Sequence, residues 1–222
     1  QMSGSSMPEG PSSDVTPPPS TAGRRQPAPG GLELVRSFLN SADIEAGTDR
    51  FAAAAEIEAW FRAHDLPLGP AGITETDRER LIAFREALRD LVACREHGEP
   101  DDAALAVLDR AGRSSPLTVA FAADGRASLQ ADGFGVDGLI GRVLGEAALG
   151  AVAGTWPRLK VCRNDACRWA YYDASRNRSG IWCAMAICGN RAKGRALRSR
   201  RGGSSPAAPG GRQARNPGAG GV

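Results

Sequence analysis

Four of the five cysteines in this chain fall within 27 residues, at Cys162, Cys167, Cys183 and Cys188, in the pattern C-x4-C, fifteen residues, C-x4-C. Two close pairs separated by a short loop suit a tetrahedral metal site, because each pair forms a turn that aims two thiolates at one ion. Four thiolates leave no open coordination position, so the spacing predicts one structural Zn2+ and not a catalytic ion. A module of about 40 residues cannot bury enough apolar surface alone, and the metal must supply part of its folding energy. Between the pairs, Arg168 to Asp173 reads as a strand and Ala174 to Gly180 as a turn, after which Ile181 and Trp182 return toward the metal. Trp156, Trp169 and Trp182 are expected to cover the site as its apolar core. The fifth cysteine, Cys94, lies beside Leu91 and Val92 on a helical stripe and reads as a small buried hydrophobe outside the ligand set.

Charge divides the chain in two. Residues 158–215 hold 14 Lys and Arg against Asp165 and Asp173, whereas the rest of the chain holds 14 against 23 acidic residues. An acidic body that carries a basic module is the footprint of a protein that places one end against a polyanion. The basic run follows the last cysteine. Asn190 reads as an N-cap for a short helix bearing Arg191, Lys193, Arg195, Arg198, Arg200 and Arg201 with no acidic residue, and these six are the predicted nucleic-acid contacts. DNA is the expected partner. RNA is the alternative, with Trp169, Tyr171 or Tyr172 stacking on unpaired bases.

The remainder predicts an α+β fold: a mostly helical domain over 32–155 with one β-hairpin, then a small four-cysteine zinc finger over 156–201. The Gly- and Pro-rich ends, 1–31 and 202–222, are expected to be a disordered arm and tail. Leu32 to Leu39 forms a first element of helix or short buried segment. Asp49 to His64 is an Ala-rich helix with Phe51, Ile57, Trp60 and Phe61 on one side. A capping box at Thr76 and Glu79 opens a helix over 76–97, and a helix over 101–111 follows with an apolar face of Leu105, Val107 and Leu108. Residues 117–121 and 127–131 read as a hairpin with a tight primed turn at Asp124-Gly125, and 134–153 as a helix weakened by its glycines. His64 and His97 fall at predicted helix C-termini and read as dipole partners.

The string Trp182-Cys183-Ala184-Met185-Ala186-Ile187-Cys188-Gly189-Asn190-Arg191-Ala192-Lys193, preceded by Cys162, Cys167 and Asp173-Ala174-Ser175-Arg176-Asn177, resembles the CGNR zinc-finger proteins. In that family the finger follows an N-terminal ABATE domain. Phe38-Leu39-Asn40-Ser41, with Asp49 and Trp60, is similar to the start of that domain, although Leu39 and Ser41 stand where the family more often has Val and Thr. The resemblance implies zinc on the four cysteines, the six basic residues facing DNA, and a role among bacterial stress-induced transcription regulators.

No phosphate-binding Gly loop, His-Glu metal helix or nucleophile elbow is present in the body, so no enzymatic activity is expected. Neither is a membrane span, because no uncharged run approaches the ~18 apolar residues that one needs; the stretch from Ala147 to Pro157 is bounded by Glu146 and Arg158. With Pro17, Pro18 and Pro19 and no apolar segment, the N-terminus does not read as a secretory signal, and the expected location is the cytoplasm. The body is expected to form a homodimer or to bind an unidentified small molecule. A third reading makes the body a ligand sensor and the finger a protein-docking element.

Overall fold

The computed structural model describes residues 26–95 and 98–202, and within them the chain is an α+β protein built around a helical body. Helix α1 (Leu32–Leu39) leads into a pair of two-residue strands, β1 (Ala42–Asp43) and β2 (Thr48–Asp49), and then into α2 (Ala54–Ala63). Helices α3 (Glu75–Cys94) and α4 (Asp102–Ser114) follow, then the hairpin β3 (Leu117–Phe121) and β4 (Ala127–Ala131), then α5 (Gly135–Val152). A 3-10 turn at Trp156–Arg158 passes directly into β5 (Leu159–Val161), which pairs antiparallel with β6 (Ala170–Tyr172). The described residues close with a π-helical turn, Met185–Gly189, continuous with α6 (Asn190–Gly202).

Helix α5 lies at the centre of the body, packed against α1, α3, α4 and the hairpin. Its glycines, unfavourable for helix formation alone, make these contacts possible. A Cβ at Gly141 would lie 2.9 Å from Ala131 Cβ of β4, and one at Gly150 would lie 2.9 Å from Leu32 of α1. The buried stripe of α5 comprises Val136, Leu139, Ile140 and Val143, with Leu144 and Ala147 only partly covered. On the other side of the core Phe38, Phe51, Trp60 and Phe84 form an aromatic cluster, with the Phe51 and Trp60 rings 5.5 Å apart and nearly perpendicular.

Several local expectations are corrected. The capping box of α3 is Thr74 with Asp77, two residues before the Thr76 and Glu79 pair: Thr74 accepts from the Asp77 N–H, and Asp77 accepts from the Thr74 N–H. Aspartate serves at the third position as glutamate does, and the extended backbone of Thr74 decides the choice. Helix α4 runs to Ser114 and buries Ala104 and Ala111, while Leu105 stays exposed. The hairpin turn is not primed. The Gly125 N–H donates to the Ala122 carbonyl, and Gly125, at φ +83°, is alone in the left-handed region there. A primed type I turn needs positive φ at both central residues, so this is a type I turn closed by a glycine bulge.

Of the expected N-terminal arm, residues 1–25 lie outside the described residues, but 26–31 belong to the body. Ala28 is buried in the core and its N–H donates to Glu33. The tail after Gly202 and His97 also lie outside the described residues. His64 caps α2 as expected of a helix-end residue. Its Nδ1–H donates to the Trp60 carbonyl at 2.8 Å, its Nε2 meets the Ser37 hydroxyl at 2.7 Å, and its ring stacks on Trp60.

Candidate metal centre and basic helix

The first cysteine pair is presented by the turn that joins β5 to β6. Within it the N–H groups of Cys167 and Arg168 both donate to the Asn164 carbonyl, at 2.7 and 2.9 Å, which folds the chain so that Cys162 and Cys167 face one point. Arg168 takes φ +45° to leave this turn. The second pair is presented by the π-turn. Ala184 is extended and its carbonyl accepts from both Cys188 and Gly189, which brings Cys188 back over Cys183. Asn190 is therefore inside a continuous helix, at φ −67° and ψ −38°, and not its N-cap; its side chain donates back to the Ala186 carbonyl.

All four sulfurs lie within 4.8 Å of one another and all four cysteines are buried, so they are positioned to bind one metal ion. The Cys167–Cys183 and Cys183–Cys188 sulfur separations are both 3.7 Å. A tetrahedral ion with metal–sulfur bonds of about 2.3 Å places its ligands about 3.8 Å apart, so the cage has the size that zinc needs. The electrostatics of the four sulfurs point the same way. Sulfur hydrogen bonds from Cys167 and Cys183 pull the Cys162 thiol down to about 2, while the same contact with Cys162 pushes Cys167 up to about 12 and raises Cys183 as well. Four thiolates this close repel one another, and a cation at their centre is what would let all four ionise.

Around the knot Trp169, Tyr171, Ala184, Trp182 and Ile187 form a small apolar cluster. Trp156 does not join it. That ring packs on the core of the body beneath the Arg95 guanidinium, 4.7 Å from its centroid, because the 3-10 turn lies at the base of α5 and not beside the sulfurs. Burial also removes Trp169 and Tyr171, 8% and 1% exposed, from any stacking platform. Cys94 is half-buried with its thiol donating to the Leu91 carbonyl, outside the cage.

Asn164, which the spacing argument passes over, links the cage to the helix. Its amide donates toward Cys188 Sγ at 3.8 Å, and its oxygen lies 3.5 Å from Arg195 on α6. Arg191, Lys193, Arg195 and Arg198 are exposed. Arg191, Arg195 and Arg198 follow helical spacing along one side, with Lys193 on the opposite side. Arg191 is held by Glu45 of the body. The side chains of Arg200 and Arg201 lie outside the described residues.

The knot is joined to the body by specific polar contacts. Asn40, at the end of α1, pairs with both backbone groups of Ala170 at 2.8 Å each. Arg89, fully buried on α3, donates to the carbonyls of Leu39 and Arg168, and Arg168 pairs with Asp90. Arg85, 3% exposed, holds Ser41 and both oxygens of Asp49. Burial acts to raise the Asp49 pKa, but the Arg85 hydrogen bonds, the Phe51 N–H and the charges of Arg85 and Arg89 outweigh it, and the carboxyl sits below its ordinary value.

Residues 31–156 match the model of the ABATE domain, described as "Putative stress-induced transcription regulator". The chain belongs to the ABATE family. Residues 158–201 match the CGNR zinc finger, so this ABATE chain carries the finger immediately after its body. No curated protein matches it. The residues that carried the resemblance in the first half, Asn40, Ser41 and Asp49, are those that tie α1 and the β1–β2 turn to α3 and to the finger. Among the described residues no helix is long and apolar enough to cross a membrane.

Proposed function

We propose that this ABATE–CGNR protein is a non-enzymatic regulator that binds duplex DNA through a zinc-organised finger. Cys162, Cys167, Cys183 and Cys188 would hold one structural Zn2+, whose binding energy stabilises a module too small to fold on apolar burial alone. Arg191, Lys193, Arg195, Arg198, Arg200 and Arg201 would meet the DNA, most of them as phosphate contacts, with arginine able to read guanine edges. The observation that carries the reading is the junction of the sulfur cage with α6: the π-turn that presents Cys188 runs without a break into a helix that has no acidic residue in its first turn.

The test is metal content of the purified chain together with duplex DNA binding by wild type and Cys183→Ser at two salt concentrations. One zinc per chain and salt-sensitive binding that the variant loses would support the reading. Absence of zinc, or affinity equal for random and selected duplexes, would remove the metal or the regulatory part of it respectively.

A further inference from the structure

The segment Asp173–Gly180 connects β6 to the second cysteine pair, and it is gripped from beneath more tightly than a connection requires. Asp173 is 0% exposed; its carboxylate accepts from the N–H groups of Ser175 at 3.1 Å and Gly180 at 2.7 Å and lies 3.4 Å from Lys160 Nζ. Lys160, 7% exposed on β5, donates to the carbonyls of Arg178 at 2.6 Å and Gly180 at 3.1 Å. Arg158 donates to the carbonyls of Asp173 and Ser175, and the Tyr171 hydroxyl to that of Gly180. Taking a lysine and an aspartate out of water is a poor way to gain stability, since desolvation offsets most of their attraction. What the pair secures is shape.

That shape presents exposed side chains: Ser175, Arg176, Asn177, Arg178 and Ser179 all face outward. Arg178 is held at φ +52°, a region arginine seldom occupies. Neither Arg176 nor Arg178 has a side-chain partner among the described residues, and the only carboxylate of the segment, Asp173, is buried in the clasp. Gly180 stands three residues before Cys183 and α6 starts two residues after Cys188, so one sulfur cage anchors both the loop and the basic helix. Two groups of exposed cations whose segments are anchored on one cage, accompanied by hydroxyl and amide donors, suit a rigid ligand that carries several phosphates.

We propose that the 174–180 loop is a second contact with the DNA backbone, in which Arg176 and Arg178 take phosphates while Asp173, Lys160 and Arg158 act as positioning residues. The inference rests on the DNA-binding reading above. It is tested on the full, zinc-loaded chain with random-sequence duplex DNA across a salt series, using four variants: R176Q/R178N, R195Q/R198Q, the body control R113Q/R126Q, and D173N. Asparagine at 178 tolerates the left-handed backbone.

For R176Q/R178N the slope of log affinity against log salt should become shallower by about 1.8, and affinity at 0.15 M salt should fall on the order of 30-fold, as expected for two lost phosphate contacts. Zinc content and melting should stay at wild-type values, because the two side chains are exposed and unpartnered. D173N adds net positive charge, so charge counting alone predicts tighter binding, whereas loss of the clasp predicts weaker binding. Were D173N not to fold, the arginine pair alone would decide. Wild-type slope and affinity in R176Q/R178N, with binding lost in R195Q/R198Q, would overturn the loop contact and leave the helix reading intact. An equal loss in R113Q/R126Q would overturn it too, since any two cations would then serve. Failure of the wild type to bind DNA would overturn both.

Discussion

Asn40→Ala should be among the most destabilising single truncations of a half-buried polar residue in this protein. Strand β6 uses one edge to pair with β5: Cys162 N–H donates to the Trp169 carbonyl on one side of Ala170, and Asp173 N–H to the Arg158 carbonyl on the other. In an antiparallel pair the residues between such bonds point their own N–H and C=O the other way. For Ala170, which is 0% exposed, those groups meet only the Asn40 amide, at 2.8 Å in both directions. Alanine at position 40 leaves a buried donor and a buried acceptor unpaired, each costing about 1–3 kcal/mol, so the variant should lose about 2–6 kcal/mol. For a chain of this size that corresponds to a fall in Tm of about 5–25 °C. The assay is urea and thermal unfolding with saturating zinc. Asn40→Asp should not rescue, because it keeps the acceptor but turns a second oxygen toward the Ala170 carbonyl. A loss below about 0.5 kcal/mol for the alanine variant, the range of ordinary surface changes, would refute the reasoning.

Glycine positions should separate by what their Cβ would meet: Gly138→Ala should destabilise by about 1–3 kcal/mol, since its Cβ would lie 2.5 Å from the Gly133 carbonyl oxygen. Gly112→Ala, exposed on α4 with Leu144 at 4.0 Å, should stabilise by about 0.5–1 kcal/mol, both read by denaturant midpoints. Acid should weaken the α3 cluster. Burial acts to raise Glu86 as it does Asp49, but Arg89 and Arg85 leave both lowered, so their contribution is full above the ordinary carboxylate pKa of about 4 and vanishes as pH falls through the lower folded values. The stability gap between wild type and Asp49→Asn should therefore be constant near neutral pH and close below about pH 4; a gap that widens on acidification would refute the assignment. Glu45→Gln should release Arg191 from its body partner and tighten binding to duplex DNA severalfold at low salt, measured by titration against wild type. Cys94→Ser should leave zinc content unchanged, because its thiol bonds the Leu91 carbonyl away from the cage.

The metal cage was the most legible part of the molecule because ligand spacing is a local property: two short turns suffice to aim four sulfurs. The long helices were legible for the same reason, as periodic apolar stripes. What was hidden depended on partners distant in sequence. The glycines of α5 look like defects until β4 and α1 are seen pressed against them. Trp156 reads as part of the finger by proximity, yet its ring belongs to the body. Asn190 has the composition of a helix cap, but the π-turn begins the helix five residues earlier, at Met185, and overrides local preference. Asn164 and Lys160 carried no signal beyond their identity, and Asp173 only its place in the family string, since their roles are set by sulfurs, carbonyls and N–H groups that the turns bring to them.

The joint between body and finger bears on how such a protein could act. A finger on a flexible linker would report nothing about the state of the body. Here the 3-10 turn leaves no linker, and a fully buried guanidinium, Arg89, is divided between Glu86 on its own helix, the Leu39 carbonyl at the end of α1 and the Arg168 carbonyl beside Cys167. A buried charge tolerates little displacement, because losing one acceptor leaves it uncompensated in a poorly polarisable surrounding. The geometry of the cysteine turn is thereby set in part by α1 and α3, and the direction of α6 is set by the cage through Asn164 and the π-turn. Whatever shifts α1 against α3 must either move the cysteine turn with it or break the Arg89 contacts, so the helical body and the basic helix form one mechanical unit.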